Sequence, residues 1–377
     1  MDEQAYLDRE AGLERGLTKA QIIMIGLGGA IGTGLFMGSG IAIGYAGPGV
    51  LVSYLIAALI AVIMVFSLSE MAVVHPTAGS FGTYAEIYLG PLMGFVVRYT
   101  YWIQQMLLIG SEAVAVGIYM GWWFPGTPVW MWALGSAITV VWVNTRAVHN
   151  FGSVEYWLTV IKVSAIVAFI IVGLSRIFGI VGDPVGLHNV TGLPGGFLPN
   201  GFSGVWLAVL MALFSFMGLE FVVGTASEAK DPKTAIPAAL RTMAGRLFLF
   251  YILALLPWTE SGAKVVTESP FVKMFASAGI PYAAGIMNFV VASAALSAMN
   301  TSIYLGSRML FSLARGGYAP RQFGELNAQH VPMRATIVTG VGILAAASLS
   351  ILTPFAYNYL FGIVLFGGLL VWGSILV

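Results

Sequence analysis

Four ionisable side chains stand inside stretches otherwise apolar enough to cross a bilayer: Glu70, Glu112, Lys162 and Glu220. A charge in hydrocarbon is costly, so each marks an ion or substrate pathway unless it snorkels to the interface or closes a structural hydrogen bond. Glu220 follows Met217–Gly218 in the middle of its apolar run, too deep to snorkel. A carboxylate beside a helix break can accept the freed N–H groups and fix the break, and a buried one can carry a proton. Lys162 lies within VEYWLTVIKVSAIVAF. Pointing inward, it can gain and lose a proton or stand where a sodium ion would bind; pointing outward, it snorkels. Glu112, with Gly110, Ser111 and Gly117 around it, reads equally as site support and as tight helix packing. Glu70, after Ser67 and Ser69 near a span end, reads as structural.

The second feature is the stretch GGAIGTGLFMGSG, Gly28 to Gly40, inside the first membrane-length run. Glycine is a poor interior helix residue. Loose backbone survives in a membrane only where it lines a protein cavity. A helix interrupted here would free N–H groups around Gly32, Thr33 and Gly34, the arrangement with which secondary transporters hold an anionic group. The competing reading is close packing, since Gly28/Gly32, Gly34/Gly38 and Gly40/Gly44 are small-xxx-small pairs. The sixth apolar run carries a comparable interruption at Met217–Gly218, flanked by Phe214 and Phe216, which could cover a ligand.

The elements that must position these residues follow from composition. The chain is 377 residues long, 58% hydrophobic and only 9% charged, against about 25% charged in soluble proteins; it reads as an all-α polytopic membrane protein. It contains no cysteine, which excludes disulfides and thiol chemistry. A net charge of +1 gives no nucleic acid footprint. No metal-ligand spacing, nucleophile–base pair or cofactor motif stands out. Ten candidate spans lie at about 21–43, 47–74, 92–120, 129–147, 154–178, 203–226, 237–256, 281–312, 335–353 and 357–377. With a cytoplasmic N-terminus, only Arg176, Lys264 and Lys273 of the 17 Lys and Arg fall outside and Lys162 falls within the bilayer, which sets the orientation. Residues 1–20 then form a cytoplasmic tail without a cleavable signal pattern, and the segment from Ser80 to Gly90 an interfacial helix. The turn-rich stretch 179–202 forms an external loop. The two interrupted spans are five apart, so 21–178 and 203–377 insert with opposite orientation as an inverted repeat.

These residues resemble those of bacterial amino acid permeases of the amino acid–polyamine–organocation (APC) superfamily, in the branch with the aromatic, lysine and proline permeases. The likeness runs through LTKAQIIMIGLGGAIGTGLFMGSG from Leu17, AGPG from Ala46, SEMAVVHPTAGSFGTYA from Ser69 and IKVSAIVA from Ile161. It continues through GGFLPNGFSG from Gly195, FSFMGLEFVVGTASEAKDPKTAIP from Phe214 and NTSIYLGSRMLFSLARGGYAP from Asn300. The resemblance implies a five-plus-five inverted-repeat (LeuT-like) fold with spans one and six broken. It implies that a substrate carboxylate meets Gly32, Thr33 and Gly34, and that the substrate ammonium meets carbonyls freed around Phe214, Ser215 and Phe216, next to Met217 and Gly218. Glu220 and Glu228 match acidic positions important in lysine permeases, and Glu155 an acidic position of the aromatic permease. Lys162 matches a lysine that occupies the sodium region, which implies proton coupling. Met106, Ile109, Phe214 and Met217, if they face the pocket, favour a neutral or aromatic amino acid over a basic one.

The expected function is thus amino acid import through the bacterial cytoplasmic membrane by alternating access, coupled to protons, with the amino acid, the proton and the lipid bilayer as partners. Two departures set competing expectations. Relatives have twelve spans, whereas this chain stops inside span ten, which reads as a truncation; and span seven is short, reaching Pro257 about six residues early. They keep open a permease-derived receptor or a non-functional remnant. Uncoupled exchange is the alternative within the class, and a membrane enzyme finds no supporting cluster.

Overall fold

A computed structural model describes residues 12–13, 16–75, 77, 79–145, 148–180, 195–225, 228–231, 233–243, 271–272, 275 and 282–377, with the side chains of 148–152 excepted. Most of the external loop and of the seventh span, and with them the expected shortening of that span, lie outside these residues.

The first span enters through α1 (Lys19–Ala30), started by a capping box in which Thr18 Oγ1 accepts from Gln21 N at 3.3 Å and Gln21 Oε1 accepts from Thr18 N at 3.0 Å. α1 stops at Ala30, where Ile31 turns to φ −93°, ψ 77°. The chain resumes through a π-helical turn, Gly34–Gly38, that runs into α2 (Ser39–Ala46). After Gly47–Pro48–Gly49 come α3 (Val50–Val74), the short α4 (Ser80–Leu89), α5 (Pro91–Gly121), α6 (Val129–Asn144) and α7 (Val148–Ile177). The sixth span is again two pieces, α8 (Gly201–Phe216) and α9 (Phe221–Gly224). The described chain closes with α10 (Ala283–Arg315), α11 (Met333–Leu352) and α12 (Ala356–Leu376).

Seven helical stretches among the described residues are long and apolar enough to cross a membrane; the first, Lys19–Val74, runs 56 residues, the length of two crossings. α6 adds a shorter apolar helix. α12, expected to be an incomplete span, runs 21 residues, enough for a full crossing.

α5 is the axis of the molecule. Its 31 residues pack against α10, α12, α6, α11 and α4. α1 lies on α7 and α10, and α8 on α2 and α3, so the two broken spans meet between these groups. The N-terminal edge is fastened by an isolated bridge: Leu17 N donates to Glu228 O at 3.0 Å and Lys230 N to Leu17 O at 3.1 Å.

Candidate functional site

The breaks in the two interrupted spans face one another across a small cavity, and their backbones touch. α8 ends where Met217 goes extended (ψ 138°) and Gly218 takes φ +109°. A side chain at Gly218 would be excluded twice, by that φ and by the backbone of Gly29 and Ala30, 2.8 Å from where a Cβ would stand. Ser215 cross-links the two breaks and ties them to α3. Ser215 Oγ donates to Gly34 O at 2.8 Å and lies 2.9 Å from the Tyr54 hydroxyl.

The cavity is lined by Gly32 and Gly34 from the first break and by Phe214, Met217, Gly218 and Glu220 from the second. Gln104, Gln105, Leu108 and Glu112 come from α5, Ala298 from α10 and Val364 from α12. A carboxylate stands at each end. At one, Glu112 Oε1 accepts from Thr33 Oγ1 at 2.8 Å and from Thr33 N at 3.3 Å, while the buried Glu112 Oε2 has no partner. Tyr357 reaches the same place, its hydroxyl donating to Thr33 Oγ1 at 3.3 Å. At the other end Glu220 accepts from Gly218 N at 2.9 Å, Trp372 Nε1 at 3.3 Å and Tyr101 OH at 3.4 Å. Tyr101 and Glu112 are eleven residues apart on α5, so the ends are separated by roughly 16 Å along that helix. Phe214 packs against Phe361, with ring centroids 4.1 Å apart and the rings tilted by 46°, beside Gly34.

The predicted residues of the substrate pocket do not all meet there. Gly32, Gly34, Phe214, Met217, Gly218, Glu112 and Glu220 meet at the cavity, with Thr33 bound to Glu112 just behind it. Ser215 serves as a cross-link, and the Phe216 ring turns toward Tyr54, 6.3 Å between centroids. Met106 and Ile109 do not line the cavity. Ile109 packs in a second core cluster with Ala133, Ala137 and Ala295, and Met106 lies against that cluster with its sulfur at Gly342. The reason is helical phase: counting back from Glu112, the cavity face of α5 holds Leu108, Gln105 and Gln104, about 100° away from the face carrying Ile109 and Met106.

Lys162 and Glu155 form a buried centre behind α1. The Lys162 ammonium points inward, donating to Gly28 O and, at 2.7 Å, to Ser297 Oγ, with Glu155 3.9 Å away. Glu155 also accepts from Ser297 Oγ and, at 3.2 Å, from Asn300 Nδ2. Both side chains are fully buried, so snorkelling is not the arrangement adopted. Glu228 lies further off, paired with Arg308 Nε at 2.9 Å, near the Leu17 bridge. Sequence reasoning passed over Gln104, Gln105, Tyr101, Trp372, Ser297 and Asn300. Adjacent glutamines in the apolar run YWIQQMLL were the visible signal; Trp372 and Asn300 carry none, because their partners lie 152 and 145 residues away. No cluster of three or more His, Cys, Asp or Glu that could hold a metal occurs among the described residues.

Two apolar spans broken beside one another around one cavity, with a carboxylate at each end, are the architecture of a secondary transporter. The comparisons give the family. The chain belongs to the amino acid permeases: that family's model matches residues 21–377. It is 40% identical to the uncharacterized amino acid permease YtnA of Bacillus subtilis over 97% of this chain and 80% of the relative. It is 41% identical to the gamma-aminobutyric acid permease of the same organism over 87% and 71%. With the aromatic amino acid transport protein AroP of Escherichia coli K12 it shares 38% over 96% and 80%. Among solved structures, MhsT in complex with L-phenylalanine superposes with a TM-score of 0.58 at 16% identity, covering 96% of this chain and 89% of that one. The fold is therefore the all-α, LeuT-like transporter fold in an integral membrane protein.

Proposed function

We propose that this permease imports amino acids through the cytoplasmic membrane, N-terminus inside, by alternating access driven by protons. The observation that carries the coupling is the seat of Glu112. Its carboxylate occupies the Thr33 N–H and hydroxyl at the break of the first span, where a substrate carboxylate would bind. Two ionised carboxylates in one dry site repel strongly, and a shared proton removes the conflict. A protonated Glu112 also gains a donor with which to meet the incoming carboxylate. Substrate and proton then load together.

The substrate ammonium is taken by carbonyls at the end of α8 around Phe214, Ser215 and Phe216. Glu220 holds that break in shape through Gly218 N. Lys162 and Glu155 tie α7 to the back of α1 at Gly28, so a proton moving between them would loosen or tighten the same broken helix. Glu228, paired with Arg308, closes the cytoplasmic edge. The repeats 21–178 and 203–377 supply the halves between which one helix bundle rocks against the other. The names of the relatives, gamma-aminobutyric acid and aromatic amino acid permeases, support an amino acid cargo.

The test is uptake of a labelled amino acid panel into proteoliposomes under an inward proton gradient. Accumulation abolished by a protonophore and indifferent to sodium is the expected result. Glu112→Gln should still exchange internal for external substrate while losing accumulation by about tenfold or more, since the proton site is gone but the hydrogen-bonding shape remains. Undiminished accumulation by this variant would remove Glu112 from the coupling.

A further inference from the structure

Between the two carboxylates the cavity wall carries two glutamine side chains with unused hydrogen-bonding capacity. Gln104 and Gln105 are buried, 3% and 0% exposed, and both line the cavity. Gln104 Oε1 and both amide atoms of Gln105, Oε1 and Nε2, have no partner among the described residues. Buried amides are almost always paired, so three such atoms on two residues that line one cavity point to a ligand group that completes them. Because both atoms of Gln105 are free, the reasoning does not depend on which way that amide is turned.

Neighbouring helices make room for these side chains. At Gly367 of α12 a Cβ would come within 3.3 Å of Gln104 Cβ, and at Gly368 within 3.0 Å of Gln104 Nε2. On the other flank, Gly306 of α10 backs Gln105, leaving 3.1 Å between a Cβ there and Gln105 Cβ. The three glycines thus let α10 and α12 pack closely on this stretch of α5.

Resting on the amino acid transport reading above, we propose that Gln104 and Gln105 form the side-chain subsite and select amino acids whose side chain is neutral and both donates and accepts hydrogen bonds, a carboxamide above all. The inventory of free atoms decides the class. A cationic side chain brings donors only and leaves Gln105 Nε2 unpaired. An anionic one brings acceptors only, leaves Gln104 Oε1 and Gln105 Oε1 unpaired, and meets Glu112 and Glu220. An apolar one leaves all three atoms bare. A carboxamide answers both atoms of Gln105 as an amide pair and has a second N–H for Gln104 Oε1. With the backbone carboxylate at Gly32–Gly34, such a side chain points along α5 from Glu112 toward Gln105 and Gln104, about two turns away. This replaces the apolar subsite that Met106 and Ile109 would have formed.

The experiment measures proteoliposome uptake of shape-matched pairs: L-glutamine against L-methionine, L-asparagine against L-leucine and L-threonine against L-valine, with L-lysine and L-glutamate as charged controls. The polar member of each pair should be taken up about tenfold or more better, because a site that hydrogen-bonds a substrate group rejects the analogue lacking it. In Gln104→Leu and Gln105→Leu the polar-to-apolar ratio should fall toward one. The wild-type ratios stand even where a leucine variant fails to fold. Equal or better uptake of methionine, leucine and valine by the wild type, or preference for lysine or glutamate, would overturn the subsite while leaving amino acid transport intact. A folded protein that transports none of the panel and gains no thermal stability from any member would remove the transport reading, and this subsite with it.

Discussion

At the residue scale the molecule is governed by what its few buried charges touch. Lys162 and Glu155 are fully buried and stand 3.9 Å apart, each satisfied by further hydrogen bonds. Taking one partner from such a pair strands the other in the dry interior, which costs about 3–5 kcal/mol, whereas removing both is far milder. Lys162→Met should therefore lower the melting temperature in detergent sharply, and Lys162→Met with Glu155→Gln should recover most of the loss. A double variant no more stable than the single one would show that the two side chains are not coupled. Glu220 differs, because its three donors come from Gly218 N, Trp372 and Tyr101, and no cation is among them. It works as a hydrogen-bonded strut inside the break.

At the element scale the decisive units are the interruptions, not the helices. α8 ends where Gly218 takes a positive φ, α1 ends where Ile31 turns at a negative one, and the two ends are pressed together at Gly218. Gly218→Ala demands a positive φ from a residue with a Cβ, about 1–3 kcal/mol of strain, and drives a methyl into the Gly29–Ala30 backbone. The expected outcome is loss of uptake together with a lower melting temperature; normal uptake would mean that the breaks need not touch in the working cycle. The glycine run from Gly28 to Gly40 serves both purposes weighed for it. Gly32 and Gly34 line the cavity, while Gly28 and Gly29 admit Glu155 and Phe221 to close range. Break and packing are here the same feature, since a helix can be interrupted only where its neighbours supply partners for the exposed backbone.

At the scale of the whole molecule the cavity lies between two sets of contacts. Phe214 packs against Phe361 at one end. Toward the other, Phe81 meets Tyr101 edge-on at 4.7 Å, Arg98 pairs with Glu86 at 2.8 Å and Arg308 with Glu228 at 2.9 Å. In the transport cycle proposed above, these two sets of contacts open in turn. The chain lacks cysteine, so a single Ala298→Cys in the cavity wall is a clean reporter. Its labelling by a membrane-impermeant thiol reagent from the N-terminal side should rise several-fold when Arg308→Gln breaks the pair with Glu228, because that closure is weakened. An unchanged labelling rate would remove the Arg308–Glu228 pair from the gate.

Much of this was legible from residue order. An apolar chain with few charges must cross a membrane, glycine where helix is otherwise favoured marks backbone that has another use, and an isolated charge in hydrocarbon needs a protein partner. Those are local properties, and they located Gly32–Gly34, Met217–Gly218, Glu112, Glu220 and Lys162 before any fold was in view. What local pattern could not carry is phase and partnership. Whether α5 shows Met106 and Ile109 or Gln104 and Gln105 to the cavity depends on how that helix is rotated against α10, α11 and α12. That rotation is settled by packing across the whole molecule, with Gly306, Gly367 and Gly368 as the seats. The same holds for Glu112 reaching Thr33 across 79 positions and Trp372 reaching Glu220 across 152. The residue types determined that there would be a broken-helix core with buried charges in the membrane; the tertiary structure alone decided which side chains face the cavity, because direction around a helix is a property of its neighbours.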